Sequence, residues 1–212
     1  MSLKQLCGVS MLAYAMSSPG VASAADLSVS GQVRSDSACS LALGNGGFID
    51  LGNLSRKDLL GGYYSIRRDM PLMINCHQPT KVGVNVTDNR AGTLPPGRGT
   101  FGLGNPAIGS YRMHAFIPGV GKADGWRPVR MIHQYKSAGG SNWWLGTDDD
   151  NSAIEWSSVF TTSWGEKGQR KEPVAFKTLT DRLEIMVYFK EDSAFTDEFA
   201  IDGSLTMELV YL

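Results

Sequence analysis

The chain has 212 residues, 20 basic against 21 acidic, with a formal net charge of −1. That balance argues against general nucleic-acid binding, which depends on a concentrated basic face. A hydrophobic content of 42 % excludes a chain too polar to build a core.

Residues 1–24 read as a secretory leader. Lys4 supplies a positive start, and Leu6 to Met16 form an apolar run. Ser17-Ser18-Pro19-Gly20 then break any helix, and Ala22-Ser23-Ala24 offer small residues for cleavage. The run is shorter than the ~20 apolar residues a membrane-spanning helix needs. The sequence therefore predicts export without a transmembrane anchor. Cleavage after Ala24 leaves 212 − 24 = 188 residues, and two of the three cysteines, Cys39 and Cys76. An even pair in an oxidising compartment predicts a disulfide. One domain over residues 25–212 is expected, since neither a repeat nor a low-complexity linker divides it.

In chain order, two-residue alternation between Gly, Pro, Asn and Asp punctuation predicts strands. Leu27, Val29, Gly31 and Val33 share one face of a first strand. Phe48–Leu51 is read as a short strand, Pro71–Cys76 as another, and Val82, Val84 and Val86 alternate cleanly. Further candidates are Arg112–Ile117, Val129–Tyr135, Val174–Leu179, Leu183–Lys190 and Leu205–Leu212. Only Ser55–Leu60 and Ala153–Phe160 look weakly helical. Many short strands with regular turns predict an all-β sandwich or barrel. Leu205, Met207, Leu209 and Tyr211 form one apolar face of the last strand, with no residues after it to build a neighbour. Such an edge recruits a strand from elsewhere.

The stretch between about Leu94 and Glu172 holds all five tryptophans, Trp126, Trp143, Trp144, Trp156 and Trp164. Filling an enlarged core is the plainer role for most of them. Trp126, Trp143 and Trp144 are the candidates for meeting a ligand, since adjacent tryptophans in a strand point to opposite faces.

The polar motifs argue against catalysis and against a metal or other cofactor. His77, His114 and His133 have no helical metal-ligand spacing. Pro118-Gly119-Val120-Gly121-Lys122 has Phe116 where a phosphate loop needs glycine, so it reads as a turn. Thr147-Asp148-Asp149-Asp150-Asn151 has Ala153 and Val159 where a calcium loop needs glycine and glutamate, so it reads as a solvated loop. No nucleophile–base pair and no Gly-x-Ser-x-Gly elbow is present.

The secretory leader, the segment Gly31-Gln32-Val33 leading to Cys39, the short strand before Cys76, Phe48-Ile49-Asp50-Leu51-Gly52 inside the cysteine loop, and the penultimate Tyr211 together resemble subunits of chaperone–usher pili. The resemblance covers roughly residues 25–90 and 180–212. It implies an immunoglobulin-like sandwich that lacks its final strand. Leu205, Met207, Leu209 and Tyr211 would line the acceptor groove. Leu27, Val29, Gly31 and Val33 would form a donor strand or the domain's own first strand. The implied partners are a periplasmic chaperone, an outer-membrane usher and neighbouring subunits, with passage through the periplasm to the cell surface. A carbohydrate-binding tip adhesin using the region of Trp126 to Trp164 is the alternative expectation.

Overall fold

A computed structural model describes residues 38–54, 65–93, 99–115, 121–137, 142–145, 154–166, 172–190 and 200–212. The expected first strand at Leu27–Val33, the leader, Ser55–Leu60 and the acidic loop at 147–151 lie outside the described residues. Twelve strands occupy most of what is described. They are β1 Cys39–Leu43, β2 Ser65–Thr80, β3 Val82–Asp88, β4 Thr100–Gly102, β5 Gly109–Ala115 and β6 Gly121–Ala123. They continue with β7 Arg127–Tyr135, β8 Trp144–Leu145, β9 Ile154–Glu155, β10 Phe160–Glu166, β11 Phe176–Phe189 and β12 Leu205–Tyr211.

Every pairing is antiparallel, in the order β1-β2-β11-β6-β7-β10-β3-β12; β5 pairs β11 on the edge that β6 also uses and carries β4 and β9, and β8 pairs β7. The sheet curls until its two ends approach each other, giving a nearly barrel-shaped all-β fold.

Alternation along the strands builds the core. Met70, Leu72 and Ile74 of β2, Val82, Val84 and Val86 of β3, and Leu183, Ile185, Val187 and Phe189 of β11 are all buried in one cluster. Trp156 and Trp164 lie inside it, edge to face at 6.2 Å, and Trp164 meets Phe176 at 6.3 Å. The Trp164 indole N–H donates to Asp181 Oδ2 at 2.8 Å, so the ring is buried without losing its polar partner.

That bond explains one departure from the sequence expectation. Thr180-Asp181-Arg182 looks like a break between two strands, yet β11 runs through it, because Asp181 turns inward to Trp164. Phe48–Leu51 is not a strand. It follows a turn in which Asn45 and Gly46 have φ of 50° and 61°, and Asp50 Oδ1 accepts the Gly52 N–H at 2.8 Å. Phe48 is exposed, while Ile49 and Leu51 pack on the core. The weak helical signal at Ala153–Phe160 is also corrected. Ile154–Glu155 pairs with β5, and Phe160 opens β10.

Cys39 and Cys76 stand directly opposite each other in the β1–β2 ladder and form the expected disulfide. The bond closes a separation of 37 residues. β1 has only five residues and β2 as its single ladder partner among those described, so the covalent link does much to hold it. Replacing both cysteines by alanine is expected to cost about 2–5 kcal/mol. Urea denaturation of wild type and variant measures this, and equal midpoints would show that β1 is held without the bond.

Candidate functional site

The two ends of the sheet define the site. Along β12, Leu212 N–H bonds Lys81 O at 3.1 Å and Ser204 O accepts the Asn89 N–H at 3.0 Å. Main-chain groups in a strand alternate in direction, so the even-numbered residues face β3. Leu205, Met207, Leu209 and Tyr211 therefore send their N–H and C=O groups the other way. On β1, Ala38 O accepts the His77 N–H at 3.1 Å, so Cys39, Leu41 and Leu43 point their main chains away from β2. Seven antiparallel pairings separate β1 from β12 in the strand order, so the two edges run in opposite directions. The result is a seam with main-chain donors and acceptors on both walls.

A hydrogen bond crosses it. Cys39 N–H donates to the Tyr211 hydroxyl at 3.0 Å. Directly paired strands lie ~4.8 Å apart; here a whole tyrosine side chain bridges the edges instead. Among the described residues no ladder joins β1 to β12.

The side chains repeat the pattern. Val82, Val84, Leu72 and Ile74, one strand back from each edge, have 0 % exposure. Cys39, Leu41 and Leu43 on β1, and Leu205, Met207 and Leu209 on β12, pack on the same core but are only partly buried. Tyr211 is 55 % exposed. Burial thus falls off toward the seam from both sides, leaving a floor of apolar side chains open to water. The four residues of β12 picked out by the sequence stand together here. The opposite wall, Cys39, Leu41 and Leu43, was missed, although the alternation of Cys39-Ser40-Leu41-Ala42-Leu43 carries it. The donor-strand candidates Leu27, Val29, Gly31 and Val33 lie outside the described residues.

The aromatic candidates do not form one group. Trp126 sits in the turn between β6 and β7. Trp144 pairs with His133 in the β7–β8 ladder, seven positions along the strand and hence roughly 20 Å away. Trp143 and Trp144 are half-buried. Trp144 joins Tyr135 at 4.8 Å, Phe160 at 5.3 Å and His133 at 6.3 Å between ring centroids. Two of the five tryptophans, Trp156 and Trp164, fill the core.

Polar chemistry elsewhere is neutralised in pairs. Asp69, Glu184, His114 and Glu155 stand in one row across β2, β11, β5 and β9. Each carboxylate has an arginine: Arg182 to Asp69 at 3.2 Å, Arg67 to Glu184 at 3.3 Å, and Arg112 to Glu155 at 3.0 Å. Burial raises the Glu184 pKa against the pull of Arg67. His114 is buried and both ring nitrogens lack a partner, so burial lowers its pKa despite Glu155. His77 is exposed at a strand position following Cys76. Among the described residues, no three His, Cys, Asp or Glu side chains stand close enough to share a metal ion.

His133 is 1 % exposed. Its Nδ1 lies 3.1 Å from Thr162 Oγ1, and Nε2 has no partner.

Among the described residues the geometry is that of an all-β, disulfide-linked protein whose end strands β1 and β12 are not paired with each other. Residues 27–111, less than half of the chain, match a family described as "Protein of unknown function (DUF1120)". No curated protein matches the chain.

Burial pushes the His133 imidazole down from 6.5 to about 4. The unfolded chain then takes up a proton first as pH falls, so stability is complete above pH 6.5 and declines toward pH 4. The loss from this group amounts to about 3 kcal/mol. Urea titrations at pH 7 and pH 4 should show a decline that is smaller by about this amount in His133→Gln than in wild type. An identical pH dependence in the two proteins would contradict it.

Proposed function

We propose that this protein is a subunit of a chaperone–usher pilus, an incomplete immunoglobulin-like sandwich that accepts a β-strand in the seam between β1 and β12. The two layers would be β4-β5-β11-β2-β1 and β7-β10-β3-β12, bridged by β6. One observation carries the reading. On both walls of the seam, the residues that turn apolar side chains toward the core also turn their N–H and C=O groups into the gap.

Strand addition needs both features at once. Main-chain bonds along an edge supply affinity, and pockets for alternate side chains supply register. A strand burying about four large apolar side chains gains on the order of 6–12 kcal/mol before ordering costs. That is comparable to the whole stability of an ordinary domain, so folding would be coupled to the donor. A periplasmic chaperone would supply the first strand. The segment holding Leu27, Val29, Gly31 and Val33 of a neighbouring subunit would replace it in the fibre, after delivery through an outer-membrane usher. The Tyr211–Cys39 contact would then be given up, since the donor main chain must pass between the two edges. The disulfide suits an oxidising route of export.

The test is production of the mature chain in a periplasm with and without a chaperone gene from the same chromosomal neighbourhood. The chain is expected to be far more stable and recovered in far higher yield as a stoichiometric complex than alone, and Met207→Asp at the seam should abolish that complex. A partner-free monomer as stable as the complexed chain would overturn the proposal.

A further inference from the structure

Trp126 is the most exposed large apolar side chain of the described residues, at 76 %, and the turn that carries it is held from several directions. Asp124 and Gly125 take φ of 53° and 78°, the left-handed region, which aspartate tolerates better than most side chains and glycine without cost. Asp124 Oδ1 accepts the backbone N–H groups of Lys177 at 2.8 Å and Thr178 at 3.2 Å. Asp124 N–H donates to Thr178 O at 2.8 Å. Arg127 Nη2 donates to Asp124 Oδ2 at 3.1 Å and to Ala175 O at 2.7 Å. Trp126 N–H closes the turn on Ala123 O at 3.3 Å. These bonds fix the backbone of the turn, which presents the Trp126 indole to water.

The local charge is opposite to that of the chain. Residues 121–128 and 175–180, the turn and the segment that braces it, carry Lys122, Arg127 and Lys177 against Asp124 alone, a net of 3 − 1 = +2, where the whole chain is −1. Lys122 and Lys177 are exposed, while Asp124 and Arg127 are engaged with each other.

We infer that Trp126, with Lys122 and Lys177, forms a binding site for a carboxylated sugar, the indole stacking on the pyranose ring and the ammonium groups meeting the acid. A rigid aromatic face recognises a ring at low entropic cost, and the cations select the acidic member of the class. An anionic membrane is the competing occupant. It is disfavoured because the other exposed large apolar residues, Phe48, Met73, Tyr135, Val159, Tyr211 and Leu212, all lie outside this turn, whereas interfacial binding scales with the apolar area buried. The site is independent of the seam, so it stands or falls apart from strand acceptance.

The experiment uses the full mature chain, with its strand-donating partner where one is required for solubility. Calorimetric titrations with 3′-sialyllactose, a galacturonic acid trimer and neutral lactose would be run beside flotation with phosphatidylglycerol vesicles. Binding of at least one acidic sugar is expected, with lactose about tenfold weaker. Trp126→Ala should weaken the acidic sugar by about tenfold or more at unchanged thermal stability, because the side chain packs on little. Lys122→Gln/Lys177→Gln should weaken it less and remove its salt dependence. The inference is overturned if neither acidic sugar binds at about 10 mM, if Trp126→Ala binds as wild type does, or if only the vesicles respond to Trp126.

Discussion

Main-chain N–H and C=O groups in a sheet must find partners, and a strand at an edge has partners on one side only. Among the described residues β1 and β12 are two such edges, and the sheet curls them toward each other without pairing them to one another. Nearly everything else in the fold can be understood as bringing these edges face to face. A fully closed barrel would satisfy both edges at the expense of the gap. The Tyr211 hydroxyl reaches across to the Cys39 amide.

Three devices hold the frame around the seam. The Cys39–Cys76 bond fastens the short β1 to the long β2. On the far side of the molecule, β6 pairs with both β11 and β7 and so joins the two halves of the sheet. Asp124 locks that junction through its bonds to Lys177 and Thr178. Between them the tryptophan pair Trp156 and Trp164 fills the interior. Along the line between the two edges, Leu41, Leu43, Leu205, Met207 and Leu209 stay half-covered. Apolar side chains from both edge strands line it.

The local half of this account was legible in the sequence. The alternation Leu205-x-Met207-x-Leu209-x-Tyr211 announced both the strand and its inward face, and two cysteines in a secretory frame announced their bond. What stayed hidden depends on residues far apart in the chain. Asp181 reads as a break in a strand until Trp164, 17 positions away, accounts for it. Phe48-Ile49-Asp50-Leu51 has the hydropathy of a strand but follows a left-handed turn and finds no ladder partner among the described residues. The Asp124-Gly125 pair is a recognisable turn, yet its attachment to β11 is a tertiary fact. Which strand lies opposite β12 was likewise beyond periodicity, since alternation specifies faces and not neighbours. Among the tryptophans, composition could not separate the two core residues from the exposed Trp126.

The central claim is that β12 is bonded on one side and open on the other, and amide hydrogen exchange reads this residue by residue. In the chain without a donor strand, the amides of Thr206, Glu208 and Val210, which face β3, should be protected. Those of Leu205, Met207 and Leu209, which face the seam, should exchange rapidly and become protected when a donor strand is supplied. Equal protection of both sets in the partner-free monomer would mean that the outer edge of β12 is already paired, and the account would fail.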